Sequence, residues 1–527
     1  MLLYINEMNK EVEWLKKCIQ LGMVSSSEGS EQAILDWKKL CDEYRNFNIS
    51  EISNVEQLLM ESLETNDRIF ILSRLIQHLQ DKTINKILLN SIIEGDFDCI
   101  KRSLLEVQIV AQIETGYSLR KKIHEKNVND FVKILEENRT YIPIKERKKK
   151  RLVIITEQIL GINHAPTRMV LDIIYVLQEK LGYEVMLFVT PLNGALPIDL
   201  WYHGIVMNRM RDLDNVPLNI NYKGITVRGY QIALQDGVIK EYKMMNDIIY
   251  FWKPYFVFNI GVVNPLADTI GRFTTLVDRS VSTACPVTNA NIIVRSSKKI
   301  AELDDREICD VLKLHSQKQV YMENKFPVII KKEECQISRV SENIPEEKFL
   351  IGVVGNRLDE EIDSEFVNVL ENITSDNENV IFIFIGRVNL VKKLLEKLET
   401  KNKIIYLGFR KDLMQVYGLL DLYLNPKRIG GGFSSSMALQ ADLPVVTLPD
   451  CDVAFNVGED FCVDDYDEMV KIVKAYATDK MFYQKMKEKV KENKKRYSEQ
   501  MLVEYVDEMI SKIICCMEEA NANDTIQ

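Results

Sequence analysis

From residue 349 onward the chain alternates short β-branched runs with stretches at helical spacing. The runs are FLIGVVG (349–355), NVIFIFIG (379–386), KIIYLG (403–408), DLYLNP (421–426) and LPVVTL (443–448). Five strands in strand-helix alternation have few solutions, and a doubly wound parallel sheet is the one expected. A second series precedes it. RLVIIT (151–156), a Gly/Asn/His/Pro loop, the helical VLDIIYVLQEKLG and the strand YEVMLFVT make one strand-helix-strand unit. KPYFVFNIG, the helix-like NPLADTIGRFTTLVDR and SVSTACPV repeat the pattern. Residues 1 to about 140 differ: Pro and Gly are scarce, and Ile71, Leu72, Leu75, Ile76 and Leu79 recur at helical spacing. Tyr141-Ile142-Pro143 and the charge run KERKKKR (145–151), read as solvated linker, mark the boundary. The expected organisation is an all-helical domain over 1–145, which binds an acceptor or partner, and Rossmann-like domains over 150–345 and 346–527, the last with terminal helices. A charged stretch at 296–347 holds the crossover.

A chain of 527 residues, 46% hydrophobic, exceeds what one core accommodates. Lys+Arg 68 against Asp+Glu 78, with both signs interspersed, gives no nucleic-acid footprint. The stretch MLLYINEMNKEVEW lacks a signal-peptide pattern. The apolar span IIYFWKPYFVFNIGVV is interrupted by Lys253 and Pro254 and is too short to cross a bilayer. Ten scattered cysteines without a CxxC pair, and five histidines, give no zinc pattern and fit a reducing cytoplasm. Cys515-Cys516 reads as part of a packed helix face.

Two segments carry anion chemistry. GGGFSSS, from Gly430, Gly431 and Gly432 through Phe433 to Ser434, Ser435 and Ser436, follows the strand that ends near Asn425 and opens a helix. Backbone amides and the positive helix end then converge on one place, where a diphosphate fits, and the serine hydroxyls are expected to add donors. The plain alternative is a flexible turn with serine caps. No Gly-Lys-Ser/Thr follows, so this is not a Walker A loop, and no GxGxxG follows the first strand. That first strand ends in Gly355-Asn356-Arg357, where a guanidinium neutralises a leaving diphosphate with forked hydrogen bonds. Pairing of Arg357 with Asp359 or Glu360 on the surface is the competing reading.

With these motifs in view, residues 350–455 resemble the nucleotide-sugar half of GT-B glycosyltransferases, most of all the O-GlcNAc transferase-like group that includes bacterial adhesin N-glucosyltransferases. The matching features are Asp421 beside a strand, Gly430 to Ser436, Ala438-Leu439, and Pro444-Val445-Val446. The resemblance implies two Rossmann-like domains facing a cleft, preceded here by the all-helical domain. It implies a diphosphate-binding role for Arg357, where lysine is usual, and places Gly408, Phe409 and Arg410 beside the nucleobase. Two positions depart from the family pattern: Met437 stands where an acid usually meets the ribose, and Asp442 where glycine is usual. No acid lies between Leu422 and Ala441, so the E-x7-E element of retaining enzymes is absent and inversion is expected.

On the acceptor side, GINHAPTR supplies Asn163, His164 and Arg168, with His164 as the base and Arg168 orienting the acceptor. A histidine that only caps the helix is the bland alternative, and His203 in WYHG is a second candidate. Asp212 and Asp214 form a D-x-D pair attributed to chance, so no metal is expected. The expected activity is transfer of a sugar from a nucleotide-diphosphate donor, a UDP-sugar, to a protein or glycan acceptor, with no further cofactor. Homo- or hetero-oligomerisation is left open. A degenerate GT-B subunit that serves as a binding partner, and a nucleotide-sugar epimerase, are the competing functions.

Overall fold

A computed structural model describes residues 10–24, 31–77, 79, 81–113, 116–162, 164–191, 200–201, 209–232, 238–282, 284–296, 298–302, 306–322, 326–330, 336–375, 377–388, 392, 395–396, 398, 400–428, 430–449 and 451–524. The chain divides into two compact units, residues 1–323 with 507–527, and residues 324–506.

Among the described residues the first unit begins with seven helices: α1 (Lys10–Val24), α2 (Glu31–Arg45), α3 (Ile49–Ser62), α4 (Thr65–Leu75), α5 (Lys82–Glu94), α6 (Cys99–Gln112) and α7 (Tyr117–Ile134). Their apolar faces close on one core containing Trp14, Trp37, Leu72 and Leu88. Asp81 and Asp98 cap α5 and α6, and Asn48 with Glu51 forms a capping box at α3, so each start satisfies amides the helix cannot. An eight-stranded sheet follows: β1 (Lys148–Thr156), β2 (Glu184–Val189), β3 (Pro217–Tyr222), β4 (Ile225–Gln231), β5 (Pro254–Gly261), β6 (Leu276–Ser280), β7 (Ile292–Arg295) and β8 (Lys318–Tyr321). The order is β3-β4-β2-β1-β5-β6-β7-β8, with only β3 antiparallel to its neighbour.

Three local expectations are corrected. The basic run is not linker: Lys148–Lys150 are the exposed start of β1, while Arg147 is buried, donating to the carbonyls of Ile142 and Tyr255. The helix beginning at Asn264 stops at Ile270, and the β-branched stretch after it forms β6 at 276–280, ahead of SVSTACPV. The β3–β4 hairpin has no counterpart in the expected pattern; Lys223 and Gly224 turn it with positive φ of 47° and 88°.

The helices are welded to this sheet by buried ions. His124 of α7 is fully buried between Glu106 of α6, at 2.7 Å, and Asp268, which also accepts from Thr288 and from the amide of Asn289. Burial works against the imidazolium, but the two carboxylates outweigh it and raise its pKa to about 10.

The second unit holds β9 (Phe349–Gly355), β10 (Val380–Gly386), β11 (Ile404–Gly408), β12 (Leu422–Leu424) and β13 (Val445–Val446), all parallel, in the order β11-β10-β9-β12-β13. The five expected strands are all present. The chain winds outward from β9 through β10 to β11, then crosses back to β12 on the other side of β9. The crevice at the carboxyl ends of β9 and β12 is therefore the topological switch point of this sheet. In the first unit the equivalent point lies between β1 and β5. The last helix, Glu499–Asp524, starts in the second unit and ends in the first. Among the described residues no helix is long and apolar enough to cross a membrane.

Candidate functional site

At the switch point of the second unit, the segments after β9 and β12 meet. Gly430 and Gly431 carry φ of 95° and 82°, a region that favours glycine, and they turn the chain into the helix Gly432–Gln440. Its first internal hydrogen bond runs from the Ser435 amide to the Gly431 carbonyl, at 3.1 Å. The amides of Gly432, Phe433 and Ser434 precede that bond, and no side chain caps the helix. Arg357 caps the short helix Leu358–Glu361 after β9, and its Nη2 lies 3.3 Å from where a Cβ on Gly430 would sit. The exposed Arg357 is thus brought beside the glycine turn, where it pairs with Glu361 at 3.1 Å. Four residues apart on one helical turn, the two face each other.

A second arginine lies beneath the turn. Arg428 is buried, with Nε on Asn425 Oδ1 (2.7 Å), Nη2 on the Tyr423 hydroxyl (2.6 Å) and Nη1 on Glu361 (3.0 Å). Burial disfavours its charge, while Tyr423 and Glu361 outweigh that and raise its pKa. A Cβ on Gly431 would fall 2.8–3.0 Å from this guanidinium, and one on Gly432 would fall 2.2 Å from Asn456 Nδ2. The glycines therefore make room for the protein's own side chains as well as for any ligand. The signal for Arg428 stood in the sequence, a cation two residues before the glycines, but Asn456 and Glu361 had none.

Several sequence expectations change here. The serine hydroxyls donate backward, Ser434 to the Gly431 carbonyl (2.8 Å) and Ser435 and Ser436 to that of Gly432 (2.9 and 3.0 Å). Each has one proton, so these hydroxyls add no donors to the cradle in this arrangement. Asn425 is buried, tying Thr447 to Arg428, and is a support of the site. Arg410 is clamped by Asp412 and Glu342, which hold its pKa well above the usual value, whereas Phe409 beside it stands 60% exposed. Gly408 has φ 65°, and Asn356 is exposed. Asp421 precedes β12 and binds Arg339 and the Leu350 amide at the opposite end of the strands. Asp442 takes the left-handed conformation (φ 61°) that suits glycine and is held by Lys494 at 2.8 Å. Met437 is half-buried and packs against the domain core.

At the switch point of the first unit, His164 caps α8 (Ala165–Tyr175) with its backbone, while its Nδ1 lies 2.9 Å from Thr167 Oγ1. Burial lowers its pKa, favouring the neutral ring. Thr167 Oγ1 also accepts from the Leu160 amide (2.8 Å), fixing the loop that carries the histidine. Arg168 is buried on α8 beside Tyr222 of the β3–β4 hairpin, whose hydroxyl donates to Asp172 one turn further along the helix. Asn163 and His203 lie outside the described residues. Glu157 is the first residue after β1. Its carboxylate accepts from the amides of Val262 and Val263 at 2.8–3.1 Å, tying the loop after β1 to the turn after β5. Burial pushes its pKa up to about 8. Asp214 is engaged by Arg209 and Gln231 and not by a D-x-D partner. Among the described residues no group of three metal-ligating side chains comes together.

Residues 335–496 match the family model described as glycosyl transferases group 1. No curated protein matches the chain significantly in sequence. Among solved structures, a mutant O-GlcNAc transferase of Thermobaculum terrenum is similar with a TM-score of 0.56 at 12% identity, covering 98% of this chain and 100% of its own. A glycosyltransferase from Rickettsia africae covers 70% of this chain and 99% of its own, at 14% identity and a TM-score of 0.48. The fold is GT-B with an added helical region, resembling that of an O-GlcNAc transferase. The matched domain, residues 335–496, lies within the second unit.

Proposed function

We propose that the protein transfers a sugar from a nucleoside-diphosphate donor, a UDP-sugar, to a protein acceptor, with inversion and without a required metal ion or further cofactor. The observation that carries this is the meeting, at one switch point, of an uncapped helix start at Gly432 with the Arg357 guanidinium after β9. A leaving diphosphate gathers negative charge as the glycosidic bond breaks, and fixed amides and a guanidinium stabilise it without reorganising. Phe409 offers an exposed ring on which a base stacks.

The acceptor is activated by His164. When Nδ1–H donates to Thr167 Oγ1, Nε2 is left unprotonated, the state a base requires, and the lowered pKa keeps it so at neutral pH. The helical region, joined to the acceptor-side sheet through His124, supplies the surface for a polypeptide acceptor. A cytoplasmic location fits the nine described cysteines, all of them free thiols. The test is a thermal-shift and hydrolysis panel over UDP-, GDP-, dTDP- and CMP-sugars. Stabilisation and slow hydrolysis confined to UDP-sugars support the reading; no response to any nucleoside diphosphate sugar contradicts it.

A further inference from the structure

Glu361 is an odd residue to find at an anion site. Its carboxylate is nearly buried, at 11% exposure, and its two oxygens point to two different arginines: one accepts from exposed Arg357 at 3.1 Å, the other from buried Arg428 at 3.0 Å. A negative charge next to a diphosphate opposes binding by simple Coulomb repulsion, and it cancels one of the two cations. Part of the reason is Arg428, whose other partners, Asn425 and the Tyr423 hydroxyl, are neutral and leave Glu361 as its countercharge. The second oxygen goes to Arg357, a long side chain that is 62% exposed, and a carboxylate at Nη2 narrows the rotamers it samples.

The surroundings show what the clamp fixes. Arg357 Nη2 lies 3.3 Å from the Cβ position of Gly430, Arg428 Nη1 lies 2.5 Å from that of Gly355, and the Arg428 guanidinium lies 2.8–3.0 Å from that of Gly431. Both arginines are seated on the glycine backbone of the two segments that bound the crevice, and the one carboxylate joins them. We infer that Glu361 is a positioning residue of the diphosphate site, holding Arg357 against Gly430 by using buried Arg428 as a fixed anchor. This rests on the diphosphate reading above. The cost in repulsion is offset by ordering the exposed guanidinium before the ligand arrives, so less freedom is lost on binding.

The sign of one substitution separates this from plain electrostatics. Glu361→Gln removes a negative charge, so a purely Coulombic role predicts tighter anion binding. Positioning predicts the reverse, because the amide NH₂ faces one of the two guanidiniums and releases it. With inorganic pyrophosphate as the probe, titrated by calorimetry, we expect roughly ten-fold weaker binding in Glu361→Gln. Glu361→Asp, which keeps the carboxylate on a shorter stem, gives a smaller loss in the same direction and guards against a poorly folded Gln variant. In an Arg357→Ala background, Glu361→Gln causes no further loss, a coupling that a merely structural role would not produce. Unchanged or tighter binding in Glu361→Gln overturns the inference, as does a loss that persists in the Arg357→Ala background. Failure of the wild-type protein to bind pyrophosphate at all overturns instead the diphosphate reading on which it stands.

Discussion

Replacing Gly431 by alanine tests whether the glycine turn is built around Arg428. Two costs are separable. The backbone at φ 82° penalises any L-residue by roughly 1–2 kcal/mol, offset by about 0.4–1 kcal/mol because alanine stiffens the unfolded chain. The added Cβ then meets the Arg428 guanidinium at 2.8–3.0 Å. A long side chain usually swings aside, but this one is buried and held at all three nitrogens by Asn425, Tyr423 and Glu361. Displacing it is an overpacking cost of about 1–3 kcal/mol. Gly408 supplies the control: its φ is 65°, and nothing lies within 4 Å of the Cβ position. Gly408→Ala therefore reports the backbone cost alone, and Gly431→Ala should be less stable than it by about 1–3 kcal/mol in urea unfolding. Equal stability of the two variants, with UDP binding retained in Gly431→Ala, would refute the claim that Arg428 dictates glycine here.

Three further outcomes follow from the first unit and the donor site. His124, raised to about 10, and Glu157 and Asp278, raised by burial to about 8 and about 7, all hold protons more tightly in the folded state than in the unfolded chain. Their combined stabilisation is full at low pH and is lost as pH rises through those values, so urea midpoints for the first unit should fall between pH 6 and pH 9, and His124→Gln should flatten the upper part of that slope. A midpoint that rises over this range contradicts the assignment. His164→Ala should lower turnover by roughly 10²- to 10⁴-fold with donor affinity nearly unchanged, read from initial rates and calorimetry. EDTA should leave transfer largely intact, because amides and arginine supply the positive charge; loss restored by added manganese would show otherwise.

The alternation of strands and helices was legible because each run is long, apolar and punctuated by Gly, Asn or Pro, and it placed Arg357 and the glycine turn at strand ends where a doubly wound sheet puts its ligands. The positive φ at Gly430 and Gly431 bore out the turn itself. What the sequence hid is the second rank of side chains. Glu361 looks like any helix acid until the one-turn helix brings it to Arg357, and Arg428, marked only by its place two residues before the glycines, looks like a surface cation until Tyr423 of β12 and Asn425 just beyond it enclose it. The serines misled for a local reason: at the first turn of a helix a hydroxyl bonds its own carbonyls as readily as a ligand. Arg168 misled because its distance from the strand end, four residues into α8, turns its face to the hairpin, and the hairpin itself was unseen. Glu157 was unreadable because its partners are backbone amides a hundred residues away.

The central claim, that the crevice between β9 and β12 binds a diphosphate through Arg357, is tested most directly by comparing UDP with uridine in calorimetry, in the wild type and in Arg357→Ala. The wild type should bind UDP far more tightly than uridine, and the substitution should remove on the order of 1.5–3 kcal/mol from UDP binding while leaving uridine affinity unchanged. Equal affinity of the wild type for UDP and uridine, or equal weakening of both ligands in Arg357→Ala, would contradict it.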